Sequence, residues 1–435
     1  MNMTTSVERT TLRDISIDYS WSFADKTIKD TSYLTHEYYT YPAKFIPQLA
    51  ARLIQTHSKE ADIVIDPFMG SGTTIIEAII NKRIGVGTDI NEIAWLLAKV
   101  KTTPIKTPLL LEEFEHLQYD LQRRVHGQYD HFLKEAEKIA PANERISYWF
   151  LDQQREKLSI IFTRIVEISD NDIREFFLVE FAQILKSCSI WLQKSVKPTR
   201  DPKKKVYEPL ALFLQQSKKM LQRHFEFTKT LDVTIREAID THRVVRCGDS
   251  RHLPCEDEKA SLIVTSPPYV TSYEYADLHQ LPSLWFGYLH TLPEFRKKFI
   301  GSAYKDRSKI DLQSSLAEDI VVRLGNNKKG REVEHYFADM LETFLEIKRV
   351  LKRGGRACIV IGNTEFSRVH ILNAEVFQEQ LEHIGFTTHD IIHREIPSKM
   401  LPSTRDTATG QFVKATDANL KLAYPTEYIL IMEKT

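Results

Sequence analysis

Asp62-Ile-Val-Ile-Asp66-Pro-Phe-Met-Gly70-Ser-Gly72-Thr-Thr74 is the stretch on which the fold turns. Its first five residues are an apolar, β-branched run, which reads as a buried strand. Gly70 and Gly72 then let the backbone turn and approach a ligand closely. Ile75 to Ile80 continues as an apolar helix, whose N-terminus offers unpaired N–H groups. Strand, glycine turn and helix in that order predict the first unit of a doubly wound α/β sheet. Asp66 opens the turn where a phosphate-binding loop keeps glycine. The pattern therefore favours a ligand with a positive or neutral end over a dinucleotide's pyrophosphate.

Downstream, Arg83 to Thr88 predicts a second strand ending at Asp89. That aspartate stands about 20 residues beyond the glycine turn, where doubly wound folds place a carboxylate that accepts from a ribose diol. Asn91-Glu92 before an apolar run also permits a helix cap there. Upstream, Tyr19 to Tyr41 is rich in aromatics and closes in His36-Glu-Tyr-Tyr-Thr-Tyr-Pro-Ala-Lys-Phe45. Ile46, Leu49, Ala50, Leu53 and Ile54 then recur at helical spacing after Pro42 and Pro47. The aromatic cluster either packs on that helix or lines a ligand pocket.

The α/β alternation of residues 1–101 stops near Thr102. Leu109 to Val125, Tyr148 to Ser169 and Asp172 to Ser195 show apolar residues at three- and four-residue spacing, so 102–240 reads as an inserted helical subdomain. Its loop Lys194-Ser-Val-Lys-Pro-Thr-Arg-Asp-Pro-Lys-Lys-Lys205 is cationic and broken by proline. It suits either solvent or phosphate.

The pattern resumes over 241–435 with a strand at Arg243 to Cys247 and a third strand-end carboxylate, Asp249, which can also serve as a turn aspartate. A central strand, Ala260 to Val264, then delivers Thr265-Ser266-Pro267-Pro268-Tyr269. Consecutive prolines fix φ and donate no backbone hydrogen bonds, leaving a rigid loop with free carbonyls, a hydroxyl and a flat ring. Ser266 and the Pro267 carbonyl can accept the two hydrogens of an exocyclic amino group, and Tyr269 can stack on the base that carries it. A proline turn with a capping serine is the plainer reading of the same string. Residues 290–332 form a second, irregular and basic insert able to follow a phosphodiester backbone. Beyond it, a helix from Val333 to Lys352 stops at Gly354-Gly355. Strand Ala357 to Ile361, helix Asn373 to Ile384, and strands Phe386 to Ile392 and Tyr428 to Met432 predict an antiparallel C-terminal edge.

Composition excludes more than it assigns. The 435 residues carry 59 Lys and Arg against 59 Asp and Glu, so no overall basic field announces nucleic acid, and any such contact must be local. Four widely spaced cysteines lack metal-ligand spacing, which points away from a zinc site and a disulfide framework and toward a reducing, cytoplasmic setting. No apolar run reaches membrane-spanning length, so no membrane partner is expected.

With these residues in place, the chain resembles the S-adenosylmethionine-dependent amino-methyltransferases of DNA, which methylate cytosine N4 or adenine N6. The likeness rests on Asp66-Pro67-Phe68-Met69-Gly70-Ser71-Gly72 as the cofactor loop, with Thr73 beginning the helix, and on Ser266-Pro267-Pro268-Tyr269 as the catalytic loop. It implies the α/β, doubly wound, mostly parallel sheet of the S-adenosylmethionine-dependent methyltransferase type. By the same resemblance Asp89 meets the ribose, Asp249 lies near the adenine, and Pro42-Ala-Lys-Phe45 packs over the methionine end. Serine at the head of the catalytic loop is the form most typical of cytosine-N4 enzymes, whereas aspartate or asparagine is more usual for adenine. The implied partner is double-stranded DNA, with a separate restriction endonuclease left open. Three alternatives stand beside this reading: an adenine-N6 enzyme, an RNA guanine-N2 methyltransferase, and a non-catalytic nucleic-acid-binding subunit of the same fold.

Overall fold

The computed structural model describes residues 12–41, 44–127, 129–195, 197–270, 275–289, 291–302, 311–366, 368–397, 404–406, 420–422 and 425–435. Among them, seven strands make one sheet: β1 (Ile63–Asp66), β2 (Ile84–Asp89), β3 (Arg243–Cys247), β4 (Ala260–Thr265), β5 (Leu351–Ile361), β6 (Phe386–Glu395) and β7 (Thr426–Lys434). Their spatial order is β3-β2-β1-β4-β5-β7-β6. The first five run parallel. All six residues of β4 are buried, as a central strand covered on both faces requires. The order reverses between β1 and β4, and that switch point opens a crevice at their carboxyl ends.

The antiparallel strand is β7, which lies one place in from the edge, between β5 and β6. Burial explains the arrangement. Tyr428 to Met432 is wholly buried and takes a neighbour on each side, whereas β6 exposes Thr387 to Asp390 and tolerates the edge. Gly354 and Gly355, expected to stop a helix, instead lie inside β5, because the preceding helix Lys328–Val350 ends sooner. Gly354 takes φ 70°, and the pairing of β4 with β5 shifts register nearby.

Helices α1 (Pro47–His57), α2 (Thr73–Ile80) and α3 (Glu92–Thr102) flank the first strands. The insert follows as α4 (Thr107–His126), α5 (Tyr129–Ile139), α6 (Glu144–Trp149), α7 (Asp152–Val166), α8 (Asn171–Cys188) and α9 (Pro209–Thr230). The helix expected from Tyr148 to Ser169 is broken at Phe150-Leu151, where Leu151 is extended and caps α7. The apolar stripes of these helices share one core with Ile93, Leu96, Leu97 and Val100 of α3 and with Leu281, Leu284 and Trp285. The insert is therefore welded to α3 and to the segment that follows the proline loop after β4. Within 290–332, the described residues include two helices, Leu292–Lys298 and Ser315–Leu324, where sequence periodicity had suggested only irregular chain.

Candidate active site

The carboxyl ends of β1 through β4 open on one cleft of about 880 Å³, part of it continuous with solvent. Phe45, Asp66, Pro67, Phe68, Gly70, Thr73, Asp89 and Asp249 line it, together with Ser266 and Pro268 from the later motif. Gly72, Pro267 and Tyr269 are not on its lining. Pro42 and Ala43 lie outside the described residues. Two turns separated by nearly two hundred positions thus meet at one rim, and the Thr265 hydroxyl joins them by donating to Asp66 Oδ1 at 2.6 Å.

Gly70 and Gly72 hold positive φ, 48° and 83°. Gly72 caps α2, and a Cβ there would stand 3.0 Å from the Ala98 backbone, so no other residue fits without moving α3. This turn aims the Gly70 N–H at Asp89 Oδ2, 3.0 Å away, while Asp89 Oδ1 accepts from Asn91 N at 2.9 Å. Asp89 is not the cap of α3; Asn91 takes that place, its Oδ1 accepting from Ile93 N.

Electrostatics follow from burial. Asp66 is 2% exposed, and desolvation raises its pKa to about 6 against the lowering effect of its bonds to Thr265, Thr74 and Phe68 N. Burial likewise raises Asp89 to about 6, opposed by the Asn91 and Gly70 N–H groups. Two carboxylates held at a cost in low dielectric favour a cation between them. Lys44 donates to the His36 carbonyl at 3.2 Å at another part of the rim, and burial lowers it to about 8.

Asp249 is gripped by its own neighbour: Arg251 Nε donates to Oδ1 at 2.9 Å and its terminal nitrogen to Oδ2 at 2.5 Å. Arg251 also reaches Asp339, which is fully buried, and Glu342. The carboxylate is oriented, with much of its accepting capacity already used.

The loop Ser266 to Tyr269 is pinned from two sides that sequence reasoning missed. The Tyr336 hydroxyl donates to the Pro268 carbonyl at 2.8 Å, and the Tyr269 hydroxyl donates to Glu427 Oε2 at 3.1 Å. Tyr269 thereby lies over the end of β5. A Cβ on Gly362 would stand 3.3 Å from its hydroxyl, which explains a glycine there. Ile90, Ser250 and the run Lys298-Phe299-Ile300 from the second insert also line the cleft without having been singled out in the sequence, beside Tyr41 of the aromatic stretch, Met69 and Ser71 of the glycine turn, and Asn91. Asn91 stands two residues past Asp89, close enough to be read as part of the same strand end. Nothing in local periodicity marks Lys298 to Ile300.

A doubly wound sheet with a glycine turn after β1, an aspartate ending β2 and a proline loop after β4, all on one cleft, defines an α/β fold of the methyltransferase class. The model of the N6_N4_Mtase family, described as DNA methylase, matches residues 4–99 and 260–435, and the chain belongs to that family. It is a DNA methyltransferase of the amino-methylating N4/N6 group. The two matched segments bracket the helical insert. The chain is 25% identical over 405 residues to Type II methyltransferase M.MvaI of Kocuria varians, covering 86% of this chain and 87% of that protein. It is 21% identical over 433 residues to Type II methyltransferase M.MjaII of Methanocaldococcus jannaschii, covering 80% and 75%. Against Type II methyltransferase M.BsoBI of Geobacillus stearothermophilus the figures are 22% over 424 residues, 81% and 78%.

Membership implies S-adenosylmethionine as methyl donor and DNA as substrate. The cleft fits such a donor. Besides the buried Asp66 and the half-buried Asp89, the Ser71 hydroxyl lines it, buried and with no hydrogen-bond partner among the described residues. Among the described residues, no helix is long and apolar enough to cross a membrane, and no cluster of three or more His, Cys, Asp or Glu could hold a metal ion.

Proposed function

We propose that the chain methylates the exocyclic N4 of cytosine in duplex DNA, at a base swung out of the helix, in the manner of a restriction-modification methyltransferase. The observation that carries this reading is the Ser266-Pro-Pro-Tyr269 loop at the end of β4, whose Ser266 and Pro268 line one cleft with Asp66 and Asp89. When bound, S-adenosylmethionine supplies an electrophilic sulfonium methyl group. Asp89 holds the ribose, Asp249 lies by the adenine, and Phe45 and Phe68 pack on the cofactor.

An amino group conjugated to an aromatic ring is a weak nucleophile, and inside a duplex it is stacked and paired. Extrusion costs a few kcal/mol, which stacking on Tyr269 offsets. Ser266 Oγ and the Pro267 carbonyl accept the amino hydrogens and turn the nitrogen lone pair toward the donor, a gain in orientation. Pro268 is a spacer with its own carbonyl already engaged by Tyr336. Serine is too weak a base to remove the proton early, so the amino proton leaves with or after transfer.

The helical insert is the part that reads DNA in this proposal. Exposed Tyr148 lies beneath the Arg200 guanidinium, 4.7 Å from the ring centroid, with Arg145 at 5.9 Å. Lys194, Lys197, Lys203 and Lys205, from the same loop as Arg200, are exposed. Lys204 of the same run serves the fold instead, donating to the Lys186 and Trp191 carbonyls. Changing Arg200 and Lys203 together to glutamate is expected to weaken duplex binding and flatten the slope of log affinity against log salt by roughly 2. An unchanged slope would remove this surface from the interface.

Incubation with labelled S-adenosylmethionine and either duplex DNA or transfer RNA, followed by nucleoside analysis, tests the reaction itself. N4-methylcytosine in DNA is the expected product. N6-methyladenine would overturn the choice of base, label in RNA guanine alone the choice of nucleic acid, and cofactor binding without transfer the assignment of catalysis.

A further inference from the structure

We infer that His279 is a positioning residue for the cofactor cleft, holding Tyr41 and Asn91 in place from the segment that follows the catalytic loop. The inference rests on the cleft being the S-adenosylmethionine site. His279 is 1% exposed, and its Nδ1 lies 2.9 Å from Asn91 Nδ2. Asn91 Oδ1 is committed to capping α3, accepting from Ile93 N at 3.0 Å, so the amide cannot turn round without breaking the cap. Its nitrogen must therefore face the imidazole. Nδ1 is the acceptor, and the ring proton sits on Nε2.

The imidazole also packs on Tyr41, with centroids 4.8 Å apart and planes 31° from parallel. Tyr41 in turn covers the glycine turn: a Cβ on Gly70 would lie 3.3 Å from Tyr41 Cε1. Asn91 is bonded through its own N–H to Asp89 Oδ1. One side chain thus touches two cleft-lining residues that flank the Gly70 to Asp89 hydrogen bond. The next residue faces the other way, Gln280 Oε1 accepting from the Trp149 indole at 3.0 Å and from Arg145 at 3.2 Å, both on α6. The chain just past the catalytic loop is tied by His279 to the cofactor turn and by Gln280 to the insert. Donor affinity consequently depends on how that segment is seated.

The test is calorimetric binding of S-adenosylmethionine to the full chain and three variants, with kcat at saturating donor measured alongside. His279→Ala and His279→Phe are expected to weaken binding about tenfold, the second keeping a ring against Tyr41 without an acceptor for Asn91. His279→Asn places an amide oxygen near the former Nδ1 and is expected to stay within about threefold of the parent. In all three, kcat is expected to stay within about threefold, because no substrate contact is lost. Parent-like affinity in the alanine and phenylalanine variants would overturn the inference. So would an asparagine variant as weak as alanine, with losses tracking the folded fraction seen in thermal unfolding. Should the alanine variant fail to fold, the asparagine and phenylalanine pair decides. A parent protein that does not bind the donor would instead sink the cofactor assignment.

Discussion

Tyr269→Ala is expected to lower kcat about 100-fold, equivalent to about 2.7 kcal/mol of transition-state stabilisation, with donor affinity within about twofold of the parent. Both halves follow from placement. The Tyr269 ring lies over the end of β5, tied to Glu427, and is not on the cleft lining. Removing it deletes the platform proposed for the extruded base, while Pro268 stays pinned by Tyr336 and Ser266 keeps its place at the rim. Base–aromatic stacking supplies about 1–3 kcal/mol, and a misoriented amino group adds to that loss. Single-turnover rates with duplex DNA, beside calorimetric donor binding, make the check. A matching loss of donor affinity would move Tyr269 into the cofactor site and undo its assigned role.

Asp89→Ala is expected to raise the dissociation constant for S-adenosylmethionine about 100-fold, because charge-assisted hydrogen bonds contribute about 1.5–3 kcal/mol each. The carboxylate accepts from Gly70 N and Asn91 N and still lines the cleft, so its removal loosens the glycine turn and deletes the proposed ribose acceptor together. The same group sets a pH dependence. Burial raises Asp89 to about 6, so it is ionised at pH 7.5 and mostly protonated at pH 5. The neutral form offers less to the N–H donors and no charge to a sulfonium. Affinity is expected to be flat above pH 7 and to fall about tenfold between pH 7 and pH 5. Asp66, raised to about 6 by the same cause, acts in the same direction. Asp89→Asn is expected to bind about tenfold more weakly than the parent and to keep only the part of the pH dependence that belongs to Asp66. A pH-independent dissociation constant in the parent would contradict the role given to both carboxylates.

Much of this site was readable in the residues themselves, for a definite reason. Asp62 to Thr74 and Ala260 to Tyr269 each combine an apolar strand with a turn whose chemistry is local, so their character survives without knowledge of the rest of the chain. The strand Arg243–Cys247 was bounded to the residue for the same reason. Signals failed where two local tendencies competed. Gly354-Gly355 read as a helix stop and fell inside β5, in the stretch where register shifts between Leu351 and Arg356, because residues on both sides of them belong to the same strand.

By itself, then, the amino-acid order settled the layered α/β class, the two turns that bear the chemistry, and the helical character of the long insert. Each of these is written in spacing over a handful of neighbouring residues. Folding alone decided that Thr265 would bond to Asp66, that Tyr336 and Glu427 would clamp the proline loop, that Lys298 to Ile300 would wall the cleft, and that His279 would seat itself between Tyr41 and Asn91. Those contacts join segments far apart along the chain. No periodicity encodes them, because they exist only once the strands have taken their order in the sheet and the buried faces have closed on one another.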